Sequence, residues 1–181
     1  MSKILLLIFL VSLSNQVYAN NKDKIINNLK NTSNLNFDFE QNINGKIELG
    51  NCTILYPKKM FCEYDKKNKI MVSNGKSLVI KSKSSYYRYA LDKTPLNFIL
   101  DKNFLLKKIS ESSEEIINNS LIRFAIKEDS QLIDIFFDIK NYTLIGWQTK
   151  DIYQNTVVTL IYSIKLNQIV DEKIFKTPLQ N

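Results

Sequence analysis

The stretch from Gly45 to Tyr64 constrains this chain most. Two sets of apolar-rich residues, 46–49 with 52–55 and 60–64, flank Tyr56-Pro57-Lys58-Lys59, and a proline with two lysines between such runs predicts a β-hairpin. Counting outward from Pro57 sets Cys52 opposite Cys62 and Ile54 opposite Met60. Because successive strand residues point to opposite faces, Cys52, Ile54, Tyr56, Met60, Cys62 and Tyr64 share one apolar, aromatic side. The reverse side carries Thr53, Leu55, Lys59, Phe61 and Glu63, greasier than a fully solvated face, so it is expected to meet something too. The hairpin reads as the floor of a hydrophobic chamber.

The only two cysteines of the chain lie in it. In an oxidising compartment, two residues directly opposed across a non-hydrogen-bonded antiparallel pair can meet disulfide geometry, so a Cys52–Cys62 bridge is expected. It would close a short loop, stabilise by about 2–3 kcal/mol and fix the hairpin register. The same positions also suit two small buried apolar side chains, and a redox-active pair fits the spacing least.

The N-terminus supplies the compartment. Lys3, an apolar run over residues 4–13 and Val17-Tyr18-Ala19 before Asn20 have the form of a cleaved secretory leader, giving a signal peptide over 1–19 and one domain over 20–181. The apolar run is too short to span a bilayer, and no cysteine follows it to take a lipid. With 181 residues, 44% hydrophobic and 24% charged, the chain can bury one sizeable core. Its net charge of +7 falls to +6 without Lys3. The lysines are scattered, and Arg88 and Arg123 are the only planar forks for phosphate, so nucleic acid is not an expected partner. Lysine on exposed edges still draws such a protein weakly to anionic lipid.

Histidine is absent from the sequence, which removes the usual base of a Ser or Cys nucleophile and the commonest zinc ligand. Glu114-Glu115 and Asp134 with Asp138 come nearest to a carboxylate cluster, and they read as solvated strand faces and loops. No phosphate loop or metal-ligand spacing accompanies them. No catalytic residue, metal or cofactor is expected.

Periodicity organises the rest. A helix is predicted from about Lys22 to Asn31, with Ile25, Ile26 and Leu29 as its stripe, then a strand in which Leu35, Phe37, Phe39 and Gln41 alternate with polar residues and which ends at Asn44-Gly45. Strands follow at 70–72, at 78–80 after an Asn74-Gly75 hairpin signal, and at Tyr86, Tyr87 and Tyr89. Thr94 as N-cap and Pro95 at the first helical position open a helix with Leu96, Phe98, Ile99 and Leu100, and Asp101 caps a second with Phe104, Leu105, Leu106 and Ile109. Four strands, 121–126, 132–139, 142–150 and 156–166, precede a tail closed by Phe175 and Pro178. The sum is one curved antiparallel sheet with helices against one face. The segment 96–109 is apolar almost all round, so it is buried on two sides or plugs a cavity. Phe37, Phe39, Ile54 and Tyr64 are accordingly ordinary core or the walls of that cavity.

The order of these features is similar to that of the periplasmic outer-membrane lipoprotein carrier family, LolA. The resemblance rests on Gly45, Pro57, Cys62-Glu63-Tyr64, Ser73-Asn74-Gly75-Lys76-Ser77-Leu78, Tyr89, Thr94-Pro95-Leu96, Ile99-Leu100, Leu144-Ile145-Gly146-Trp147, Asp151, residues 156–160, Phe175 and Pro178, and it spans nearly the whole mature chain. It implies an unclosed antiparallel β-barrel, a strongly curved sheet, with short helices as a lid over a hydrophobic cavity. The implied function is that of a periplasmic, monomeric, non-enzymatic carrier, with acylated lipoproteins as cargo, an inner-membrane lipoprotein-releasing ABC transporter as donor and an outer-membrane acceptor where one exists. The cavity is then lined by Phe37, Phe39, Ile47, Leu49, Ile54, Tyr56, Met60 and Tyr64 and lidded by Leu96, Phe98, Ile99 and Leu100. One departure stands out: the arginine expected before the hairpin proline, which in the family bonds the lid, is Tyr56, whose hydroxyl is expected to bond a lid carbonyl instead. Two other readings use the same residues: a lipid- or lipoprotein-sensing domain of the same fold that signals through a protein partner, and a periplasmic hydrolase built on carboxylates.

Overall fold

The computed structural model describes residues 20–66, 68–128, 131–151 and 153–180; the leader expected over 1–19 lies outside them. Helix α1 (Asn21–Asn31) starts where the Asn20 side chain accepts from the Asp23 N–H at 2.8 Å, and it buries Ile25 and Leu29. Strands β1 (Asn34–Ile43), β2 (Lys46–Leu55), β3 (Lys59–Tyr64), β4 (Lys69–Asn74), β5 (Ser77–Lys81) and β6 (Tyr86–Ala90) form a meander. A 3-10 turn at Leu91–Lys93 leads to α2 (Leu96–Leu100) and α3 (Lys102–Glu111), and a second meander follows: β7 (Glu114–Ile117), β8 (Leu121–Glu128), β9 (Gln131–Asp138), β10 (Leu144–Lys150) and β11 (Thr156–Leu166).

The two meanders make one 11-stranded sheet in the order β6-β5-β4-β3-β2-β1-β11-β10-β9-β8-β7. Antiparallel pairing of β1 with β11 joins them, and β6 and β7 remain as open edges. The barrel is therefore mostly β, curved and unclosed. Where Phe37 opposes both Ser163 and Ile164, β11 carries a bulge with Ser163 at φ +53°, and such insertions bend a strand. Asn44 and Gly45 both have positive φ, as the two-residue hairpin turn they form requires.

The core fills the concave face. Phe37 and Phe39 of β1, Ile54 of β2 and Met60 of β3 meet Phe124, Ile135 and Phe137 of the second meander, all essentially without exposure. The helices add Ile25, Leu29, Ile99, Leu100, Leu105 and Ile109. On the convex face Val72 and Val79 are also buried. There a 3-10 turn at Glu172–Phe175 packs on β3 and β4 and buries Phe175, as the sequence of the tail suggests.

Some local expectations are corrected. Strand β7 departs from the sequence reading, which resumes the sheet only at residue 121: Glu114-Glu115, read among solvated strand faces and loops, lies in a strand that forms the sheet edge against β8. Thr94 does not cap α2. Its hydroxyl donates back to the Leu91 carbonyl at 2.8 Å, closing the preceding turn, and Pro95 holds the N-cap position. Tyr142, expected in a strand, sits at φ +60° in the turn before β10.

Candidate functional site

The hairpin register is the expected one, with Cys52 opposite Cys62 and Ile54 opposite Met60. Cys52 and Cys62 are joined as a disulfide with their Cα atoms 4.1 Å apart. Phe37, Phe39, Ile54, Tyr56, Met60 and Tyr64 share the concave face with it, and all are buried. The Phe39 and Tyr64 rings meet edge to face at 5.1 Å, and Phe37 meets Trp147 at 6.4 Å. Gly50 makes room for the first pair: a Cβ there would lie 2.8 Å from the Phe39 ring and 2.0 Å from the Glu63 carbonyl.

Ile47 and Leu49 do not join this wall. The period-2 alternation that points Cys52 and Ile54 inward points Glu48 and Gly50 inward too, so Ile47 and Leu49 emerge on the convex face, 47% and 41% exposed. Apolar identity suggested an inward residue, and parity decides otherwise. The inward Glu48 is satisfied by ion pairs with Lys46, at 3.5 Å, and with Lys69, whose ammonium also lies 3.6 Å from the centre of the Tyr64 ring.

Ile99 and Leu100 of α2 are fully buried over the wall, with Leu96 and Phe98 half-buried beside them. Phe98 stacks on Phe104 of α3 with centroids 4.8 Å apart, and Asp101 caps α3 as expected by accepting from the Phe104 N–H at 3.1 Å.

The lid is fastened by a residue that sequence reasoning passed over. The Lys58 backbone N–H donates to the Leu100 carbonyl at 2.8 Å, and its ammonium pairs with Asp101 at 3.2 Å. Ser73 Oγ donates to the Lys58 carbonyl at 2.6 Å. Together these hold Lys58 at φ +66°, a conformation that costs a non-glycine residue about 1–2 kcal/mol. Lys102 adds a donor contact to the Thr32 carbonyl at 2.9 Å, with its ammonium 5.8 Å from the Tyr56 ring centre. Tyr56 itself does not bond the lid. Its hydroxyl is buried with no hydrogen-bond partner among the described residues, and burial raises its pKa well above the usual tyrosine value. Neither Lys58 nor Lys102 carries a local signal of such a role, because the first bonds across the sheet–helix junction and the second reaches the C-cap of α1, both distant in sequence.

Relative magnitudes decide what keeps the lid shut. Full burial of Ile99 and Leu100 contributes about 1.5–3 kcal/mol each. The Lys58–Asp101 pair, 35% and 26% exposed, is worth about 0.2–1 kcal/mol after solvent screening. The lid is held mainly by apolar burial, and another apolar group can supply that in its place.

The carboxylates serve structure. On the convex face Arg123 pairs with Asp134 at 3.0 Å and Glu115 at 3.3 Å, and Gln148 donates to Asp134 at 3.2 Å. Asp138 accepts from the Lys140 and Asn141 N–H groups of its own turn, and Glu114 accepts from Asn21 at 3.0 Å.

A curved, unclosed sheet with apolar helices seated in its concave face defines the molecule as a lidded, half-open β-barrel. The sequence matches the family described as outer membrane lipoprotein carrier protein LolA over residues 30–178, and the chain belongs to this family. Among solved structures, an uncharacterized conserved protein from Thermus thermophilus is 7% identical with a TM-score of 0.51, covering 87% of this chain and 92% of its own, and it shares the fold. A LolA superfamily protein from Nitrosomonas europaea is 9% identical with a TM-score of 0.45, covering 88% of this chain and 99% of its own. A putative outer membrane lipoprotein-sorting protein domain from Vibrio parahaemolyticus is 10% identical with a TM-score of 0.45, covering 86% and 97%. No curated protein sequence matches.

Proposed function

We propose that this protein is a periplasmic carrier that shields the acyl chains of lipoproteins between Phe37, Phe39, Ile54, Tyr56, Met60 and Tyr64 on the sheet and Leu96, Phe98, Ile99 and Leu100 on the lid. The observation that carries this reading is an apolar lid, with Ile99 and Leu100 fully buried and few polar ties, Lys58 chief among them. Acyl chains that enter replace the lid side chains against the wall, so the free energy of loading is the difference between two apolar contacts. Net affinity then stays modest, which lets cargo be handed on. The leader over 1–19 would direct the chain to the periplasm. A lipoprotein-releasing ABC transporter of the inner membrane would load the monomer, and an outer-membrane acceptor would unload it without covalent chemistry.

The test measures lipoprotein release from spheroplasts by the Ile99→Asp variant. The carboxylate is buried and unpaired while the lid is shut and hydrated once it opens, so the variant should hold the lid open and lose release at temperatures where the sheet still folds. Parallel loss of release and folding would make Ile99 plain core and remove the lid from the account. Mass spectrometry of what copurifies from the periplasm should find acylated protein.

A further inference from the structure

We infer that the end of the sheet opposite the Lys58 turn docks the protein on an anionic lipid surface. Three turns of the first meander lie at that end, at Asn44-Gly45, at Asp65-Lys66 and at 82–85, because antiparallel strands return alternate turns to the same side. Between them open two cavities of about 570 and 300 Å³ that share Lys46 and Glu48. Ile80 lines the larger and Tyr64 the smaller, and both also pack on the concave apolar cluster. The mouth therefore adjoins the interior wall.

Its charge is one-sided. Glu48 is occupied by Lys46 and Lys69. Lys66 and Lys83 are exposed and make no ion pair among the described residues, leaving Asp65 as the remaining acid of the two cavities. At the opposite end Lys58 is engaged with Asp101, Lys59 with Glu172 and Lys102 with backbone carbonyls, and Lys76 stands exposed without the flanking cavities. The mouth also presents Tyr87, 53% exposed, together with Ile47 and Leu49. Lysines interleaved with tyrosine and aliphatic side chains match the chemistry of a headgroup layer, where ammonium stems reach phosphate and rings settle at the interface. A protein carboxylate patch is instead read best by arginine forks. The one arginine of this meander, Arg88, is bonded to Ser77 Oγ at 3.1 Å.

This inference concerns docking and holds whether or not the carrier reading does, so flotation with vesicles tests it alone. The mature protein should float with vesicles of phosphatidylcholine containing about one third phosphatidylglycerol, and not with phosphatidylcholine alone, and salt should release most but not all of it. Lys66→Gln with Lys83→Gln should lower partition by about 30-fold, since each lysine near an anionic surface contributes about a fivefold factor. Lys30→Gln with Lys76→Gln removes the same net charge from exposed sites elsewhere and should change partition by less than about threefold. Tyr87→Ser should weaken the part of the binding that survives salt. Equal losses for the two double variants, or no binding to the anionic vesicles, would overturn the inference. So would binding only to an acidic protein surface.

Discussion

On the concave side of the first meander the cover is α2 with α3; on the convex side of β3 and β4 it is the C-terminal turn at Glu172–Phe175 and the residues after it. The lid buries Ile99, Leu100, Leu105 and Ile109 completely, and its ties to the hairpin gather at Lys58. The tail buries one large side chain, Phe175, and is tied along its length. Lys59 pairs with Glu172 at 2.6 Å, the Tyr86 hydroxyl donates to the Pro178 carbonyl at 3.2 Å, and Lys81 donates to the Leu179 carbonyl at 3.0 Å. A cover held by apolar area at one hinge-like point can be exchanged for an apolar ligand. A cover held by spaced polar bonds has no such substitute, so the tail is a fixed cover and the lid a removable one.

Truncating each cover at its anchor should separate the two roles most sharply. Phe175→Ala is expected to cost about 3–5 kcal/mol and Ile99→Ala about 2–5 kcal/mol in denaturant unfolding. Only Ile99→Ala should raise the binding of a fluorescent hydrophobic probe, because it loosens the cover over the apolar wall. Equal gains in probe binding would erase the distinction. Reduction of Cys52–Cys62 should follow, at about 2–3 kcal/mol for the short loop it closes. The bridge holds the sheet beneath the lid, so reduction should shift the unfolding midpoint with little change in probe binding. Lys58→Gly comes next. It removes the Asp101 pair and relieves a left-handed backbone, two terms of about 1 kcal/mol and opposite sign. Global stability should stay within about 1 kcal/mol while probe binding rises, since the surviving Leu100 bond leaves the lid with a weaker tie.

Much of this fold is legible in the sequence because its signals are local. Pro57 between two apolar runs sets the hairpin register, and that register alone opposes Cys52 to Cys62. Asn44-Gly45 marks the turn it forms. Asn74 behaves differently: it stays in β4, and its side chain accepts from the Lys76 and Ser77 N–H groups, moving the tight turn on to Gly75-Lys76. Ile47 and Leu49 show where identity misleads, since the inward places beside them go to a glycine that admits the Phe39 ring and a glutamate that pairs with Lys69. Strand β7 is hidden in the sequence because its four residues have meaning only when β8 lies beside them. The fastening by Lys58 could not be read from the sequence at all, because its partners, Leu100 and Asp101, lie more than 40 residues away and are reached only once the sheet has curved.

Tyr56→Phe is the smallest change and bears most directly on the fastening. The sequence suggests that the hydroxyl locks the lid, in which case its removal would cost about 0.5–1.5 kcal/mol and open the lid further. The structure leaves that hydroxyl buried without a partner, and a buried donor that bonds nothing is itself unfavourable. Tyr56→Phe should therefore leave stability at neutral pH unchanged or raise it by up to about 1 kcal/mol, with probe binding unaltered. Alkaline titration supplies an independent reading. Burial raises the Tyr56 pKa above the unfolded value of 10.0, so the native state keeps a proton that the unfolded chain releases. The stability that depends on that proton is intact below the unfolded pKa and declines above it, by about 1.4 kcal/mol per pH unit for one fully protected group. Tyr64, raised by burial and then by Glu48, contributes a second decline of the same sign. Tyr56→Phe should accordingly flatten the fall in unfolding free energy above the unfolded tyrosine pKa by about half, leaving the Tyr64 share. A variant destabilised at neutral pH by about 0.5–1.5 kcal/mol, with raised probe binding, would show the hydroxyl bonded to the lid, and Lys58 would lose its place as the fastening.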